Sequence, residues 1–120
     1  MTRERSASPI TLRRAVAFID DNAELDLTVS DIARAASVTP RALQLAFRRH
    51  LDTTPLRHLR RVRLARARED LLSATAGDGH TVTAIAYRWG FPSPSRFAEE
   101  YRATYGDLPS NTLRSARCPP

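Results

Sequence analysis

The sequence predicts an all-α protein made of two helix-turn-helix subdomains joined by a long helix. Three observations carry this expectation. Serine or threonine followed by proline opens one segment after another, at Ser8-Pro9, Thr39-Pro40, Thr54-Pro55 and Ser93-Pro94, which is the cap-then-proline form of a helix start. Apolar residues then recur at three- and four-residue spacing. The pattern of the first half also returns in the second at an almost constant offset.

Residues 1–8 are expected to be disordered. From Pro9 a first helix is expected through Asn22, with Ile10, Ala15, Phe18 and Ile19 as its apolar stripe. Asp20 and Asp21 are adjacent and point apart on a helix, so they read as a solvated end and not as paired carboxylates. Thr28 is placed to cap a second helix, and Asp31 completes a capping box. Ile32, Ala33 and Ala36 share one face of it. Thr39-Pro40 opens a third helix, where Val38 and Leu43 have the spacing of a hydrophobic staple. Leu43 and Phe47, four apart, turn inward and leave Arg41, Gln44, Leu45 and Arg48 facing out.

Asp52-Thr53 makes a short connection to a long helix that begins at Thr54-Pro55 and is expected to reach about residue 75. Leu56, Leu59, Val62, Ala67, Leu71 and Leu72 supply its packing surface, and Arg57, Arg60, Arg61, Arg66 and Arg68 occupy much of the rest. Thr75 to His80 is a glycine-bearing loop, with His80 expected on the surface.

Thr28, Val29, Ile32 and Ala33 then reappear as Thr81, Val82, Ile85 and Ala86. After one extra residue in the second turn, Leu43, Phe47, Arg48 and Leu51 match Phe97, Tyr101, Arg102 and Tyr105. Trp89, Phe91, Phe97 and Tyr101 fall on the apolar positions of the first subdomain. Core packing is therefore preferred over a base-stacking platform. Ser95, Arg96 and Glu99 face out. The expected division is 9–53 for the first subdomain, 54–76 for the linking helix, 77–115 for the second subdomain, and 116–120 for a tail.

The composition narrows the partners. In 120 residues the chain carries 19 basic residues, all arginine, and a formal net charge of +6. A GC-rich genome explains the absence of lysine without any selection at a site. The distribution says more. Nine arginines and one acid, Asp52, lie between Arg41 and Arg68, a local charge of +8. A solvated helix normally mixes its signs, so a nucleic-acid partner is favoured. One cysteine, Cys118, excludes an internal disulfide and a cysteine-based zinc site. No apolar run approaches the roughly 18 residues of a membrane span, and MTRERSASP lacks the apolar core of a signal peptide. A cytoplasmic protein with no membrane contact is expected. No glycine phosphate loop, metal-ligand spacing or serine elbow is present. His50 and His58 read as surface residues. Neither a catalytic residue nor a metal or cofactor site is expected.

DIARAASVTPRALQLAF, RVRLARAREDLL and IAYRWGFPSPSRFAEEYRATYGDLP resemble the DNA-binding domain of the AraC/XylS family of bacterial transcription regulators. The resemblance covers about residues 9 to 114. Gly90-Phe91, followed by Ser93, Phe97, Tyr101, Gly106 and Pro109, carries the most specific part of it. It implies seven helices in a homeodomain-like arrangement, two groove-entering helices at about 40–50 and 94–104, and regulation of transcription. Ser37 and Asp52 stand where the family often has glycine, and Thr112 stands where an aromatic is common. A loosely packed last helix is the expected consequence of Thr112. The second groove-entering helix balances Glu99 and Glu100 against Arg96 and Arg102, so its local charge is zero.

In a helix-turn-helix the outer helix presents its first turns to base edges. Arg41 suits guanine O6 and N7, Gln44 suits adenine N6 and N7, and Leu45 suits a thymine methyl group. Arg48, Arg49 and Arg57 are expected to clamp phosphates, which fixes register without reading sequence. Thr28 and Thr81, at helix N-termini, are placed to offer a hydroxyl to phosphate. In the second subdomain Arg96 is the best base reader, Ser95 an adaptable one, and Arg102 a phosphate contact. Glu99 fits cytosine N4, although solvation is slightly preferred. The two reading helices are expected in adjacent major-groove segments, about 10 bp apart. The competing expectation is a helical protein-interaction module, for example one contacting RNA polymerase, in which the second subdomain does not read DNA. As this fragment the chain is expected to be a monomer, with dimerisation left to a domain it has no room for.

Overall fold

The computed structural model describes residues 9–117. The segment expected to be disordered at 1–8, the Ser8 cap and Cys118 lie outside the described residues. Among the described residues there are seven α-helices and no strand: α1 Pro9–Asp21, α2 Val29–Ala35, α3 Pro40–Leu51, α4 Pro55–Leu72, α5 Val82–Arg88, α6 Pro94–Tyr105 and α7 Pro109–Arg117. The chain divides into two units, Met1–Val62 and Arg63–Pro120, and the division falls inside α4.

The helix starts follow from local side-chain chemistry. Thr28 Oγ1 accepts from the Asp31 N–H at 3.1 Å while the Thr28 N–H donates to Asp31 Oδ2 at 2.9 Å, a reciprocal capping box. These bonds, the backbone donor first, hold the Asp31 carboxyl below the usual carboxylate range. Thr39 and Ser93 each accept from the N–H three residues on, at 3.1 Å, and each is followed by proline in the first helical position. Thr54 and Thr81 cap α4 and α5 in the same manner.

In the first unit α1 packs on α2 and α3. Leu12, Ala15, Ile19, Ala23, Ile32, Ala33, Ala36, Leu43, Ala46, Phe47 and Leu59 are buried, with Pro55 closing the set. The α1 stripe differs from the expected one, because Ile10 is 58% exposed and Leu12 takes its place. Leu12, Ala15 and Ile19 are three and four residues apart, whereas Ile10 lies two residues, about 200°, off that face. His58 is half-buried, not a surface residue. Its ring meets Phe47 edge-on with centroids 5.7 Å apart, and burial pulls its pKa below the ordinary value.

In the second unit α5, α6 and α7 pack on one another. Trp89, Phe91, Phe97 and Tyr101 are buried together with Leu64, Ala67, Leu71, Ala74, Ile85, Ala86 and Leu113. The aromatic group is therefore core. Phe97 stacks at a tilt on Phe91 and edge-on to Tyr101. Asp70 on α4 accepts from the Trp89 indole N–H at 2.8 Å and pairs with Arg88 at 3.0 Å. The expected looseness of α7 is not observed. Thr112 Oγ1 lies 2.8 Å from the Tyr101 hydroxyl, so a hydrogen bond replaces aromatic packing there.

Leu56 and Leu72, expected as packing surface, are 46% and 52% exposed. Each sits one residue, about 100°, from a buried neighbour, Pro55 or Leu71. The helix ends at Leu72, short of residue 75. The loop that follows is tied inward. Asp78 accepts from the Thr75 N–H at 2.6 Å and the His80 N–H at 2.9 Å, and lies 2.9 Å from His80 Nδ1 and 3.3 Å from Arg117. The Arg117 guanidinium also donates to the His80 carbonyl. His80 is thus half-buried in a hydrogen-bonded loop, contrary to the surface position expected for it.

Candidate nucleic-acid interface

The two turns before α3 and α6 are built alike. Ser37 N–H donates to Arg34 O and Val38 N–H to Ala33 O; Gly90 N–H donates to Tyr87 O and Phe91 N–H to Ala86 O. That is a Schellman motif in each unit, and it needs a residue with positive φ at its centre. Ser37 supplies it with φ 60° and Gly90 with φ 82°. The same holds where the outer helices end, at Asp52 (φ 53°) and Gly106 (φ 76°). The glycines expected by resemblance are thus replaced in the first unit by residues that take the same backbone conformation. At Gly90 a side chain is opposed twice, since a Cβ there would also lie 3.2 Å from the Arg63 guanidinium.

These turns leave one face of each outer helix in solvent. On α3, Leu43, Ala46 and Phe47 are buried, while Arg41, Gln44, Leu45, Arg48 and Arg49 are exposed. Leu45 is 53% exposed, an apolar side chain between charged and amide ones on the outer face. Arg57, in the first turn of α4, is exposed as well. On α6, Phe97 and Tyr101 point inward and Ser95, Arg96, Glu99 and Arg102 are exposed. Thr28 and Thr81 are exposed caps whose oxygens already accept a backbone bond, so the hydroxyl proton is what remains for an anion. In each unit the sequence-chosen residues therefore lie on solvent-facing positions.

Not all the arginines of the basic stretch serve that surface. The Arg68 guanidinium sits 4.7 Å from the centroid of the Tyr105 ring, and Arg63 lies against Gly90. Both are in the second unit and brace its fold. In the first unit Arg41, Arg48, Arg49, Arg57, Arg60 and Arg61 of this stretch are exposed. Among the described residues no group of histidine, cysteine and carboxylate side chains could hold a metal ion, and no helix is long and apolar enough to cross a membrane.

The family model for a helix-turn-helix domain matches residues 32–115. The chain belongs to the AraC/XylS family of transcription regulators. Within that family it is the DNA-binding domain. It is 45% identical over 112 residues, 92% of its length, to a probable thc operon regulatory protein of Rhodococcus erythropolis, and spans 33% of that protein. The fold is similar to the crystal structure of a probable AraC family transcriptional regulator from Rhodopseudomonas palustris, with a TM-score of 0.82 at 30% identity, covering 90% of this chain and 98% of that one. It is also similar to the DNA-binding domain of AdpA, a global transcriptional factor crystallised with a target DNA, at TM-score 0.70 and 25% identity over 88% of this chain and 91% of that one. The chain thus spans about a third of the length of the Rhodococcus relative.

Glu100 forms a long ion pair with Arg96. Its Oε2 lies 3.9 Å from Arg96 Nε. In the sequence the four-residue spacing shows only two cancelling charges.

Proposed function

We propose that this AraC-type domain reads double-stranded DNA through direct base contacts from α3, with α6 as a second and less basic reader. The observation that carries this is the outer face of α3, where an arginine, a glutamine and a leucine occupy the first two turns in solvent, backed by a fully buried inner face. Arg41 bonds guanine in bidentate fashion, Gln44 bonds adenine, and Leu45 covers a thymine methyl group. Arg48, Arg49 and Arg57 hold phosphates and give binding its salt dependence. Thr28 and Thr81 donate hydroxyl protons to the backbone at the two flanks. In the second unit Arg96 reads guanine, Ser95 adapts to its neighbour base, Glu99 is solvated, and Arg102 meets a phosphate.

Selection of bound sequences from a random duplex pool, followed by salt titration on the winner, tests this. A binding constant that does not fall with salt, or a pool that stays random, would overturn it.

The second reading concerns unit 2. Its outer helix is neutral, and Tyr87 on α5 is 56% exposed. These features support an added contact with RNA polymerase. We further propose that the chain acts in the cytoplasm on the nucleoid, is monomeric at this length, and takes part in control of an operon without catalysing a reaction.

A further inference from the structure

The two acids of α6 are not equivalent. Glu99 is exposed, whereas the Glu100 side chain is 24% exposed and reaches back one turn to Arg96, whose side chain is 56% exposed. The contact is to Nε, which leaves the two terminal guanidinium nitrogens for another partner. Those two nitrogens are the fork that can meet guanine O6 and N7 together. A free arginine loses several torsions on binding, and a carboxylate that already limits them lowers that loss.

We propose that Glu100 is a positioning residue for Arg96 and sets the specificity of unit 2 for a single guanine. This rests on the reading of α6 as a base-reading helix. The contact predicts more than a local charge effect. An acid that merely repelled phosphate would lower affinity for every sequence alike. A positioning acid supports discrimination at one base pair and leaves the others unchanged. The ion pair lies one helical turn apart with an exposed arginine and contributes little to folding, and Glu100→Gln keeps the shape of the half-buried side chain that Glu100→Ala removes.

The test uses the whole chain and the sequence it selects from a random duplex pool, with each base pair then substituted in turn. Arg96→Ala is expected to lower discrimination at one base pair by about tenfold. Glu100→Ala and Glu100→Gln are each expected to lower it at that same base pair by about threefold or more, because at 3.9 Å the tie is an attraction between charges that an uncharged amide does not keep. The double variant should discriminate no worse there than Arg96→Ala alone, since Glu100 acts through Arg96. Should Glu100→Ala unfold, Glu100→Gln carries the comparison. Glu100→Ala binding every sequence more tightly with unchanged ratios overturns the proposal, as do additive effects in the double variant. If Arg96→Ala changes no ratio at any base pair, α6 is not a base reader and the underlying reading falls with it.

Discussion

Ser37 and Gly90 hold the same place in the two helix-turn-helix units, each at the left-handed centre of a Schellman turn, with φ of 60° and 82°. A serine there bears a steric cost that glycine does not. Part of that cost is offset because glycine has more freedom to lose on folding. The net expectation is that Ser37→Gly stabilises the first unit by about 0.5–1 kcal/mol, read by urea denaturation. Gly90→Ala should destabilise the second by about 1–2 kcal/mol or more, since Arg63 must also give way. Asp52→Gly should be close to neutral, because aspartate tolerates the left-handed region better than most residues.

Base reading and phosphate holding on the first unit separate by salt. Arg41→Ala and Gln44→Ala should each relax preference at one base pair by about 1–3 kcal/mol. Arg49→Ala should weaken binding to all sequences nearly equally and lower the salt slope by about one. Mobility-shift titrations at two salt concentrations, on specific and random duplexes, distinguish the two outcomes. Equal loss from all three substitutions on both duplexes would reject the division.

Asp70→Ala leaves the Trp89 indole N–H, on a side chain only 5% exposed, without its acceptor. The expected loss is about 1–3 kcal/mol of stability. Asp70→Asn keeps an acceptor oxygen and loses only the charge on Arg88, so it should cost less. Trp89 is the sole tryptophan, and its emission maximum reports the change directly.

His58 gives a pH dependence with a definite sign. Burial lowers its folded pKa beneath the ordinary 6.5, with Asp20 opposing that shift and Arg61 adding to it. Above about 6.5 both folded and unfolded states are neutral at this residue, so it adds no slope there. As pH falls below that value the unfolded state takes the proton first, and stability drops until the folded pKa is passed. Asp31 and Asp78 have depressed carboxyl pKa values, so their contribution is lost only as pH falls below the usual carboxylate range. Denaturation at pH 7.5 and 5.5 should show a loss that His58→Phe removes. A loss unchanged in His58→Phe would assign the slope elsewhere.

Much of this fold was legible because its helix starts are written in single residues. Thr28, Thr39, Thr54, Thr81 and Ser93 each cap the helix expected of them, and the repeat fixed which faces turn inward. Among the apolar positions, Ile10, Leu56 and Leu72 depart from the faces that their spacing predicts. All three lie near helix ends, where one residue of phase decides burial and few neighbours are available to set it. The pairs Asp70 with Trp89, Arg68 with Tyr105 and Asp78 with Arg117 join distant positions and leave no periodic trace. The outer face of α3 was readable from Leu43 and Phe47 alone. The tie between Arg96 and Glu100 was not, since spacing permits a contact without requiring it.

The loop from Thr75 to His80 is exposed along most of its length, and its glycines Gly77 and Gly79 have no neighbour where a side chain would grow. By such marks it would be chosen for splicing in a foreign sequence. Asp78 fastens it from within, and Arg117 fastens it from 39 residues further along. The passage from α4 to α5 is thus a latch whose key lies at the end of α7. A protein engineer who lengthens this loop, and one who trims the chain ahead of Arg117, would be undoing the same carboxylate from opposite sides.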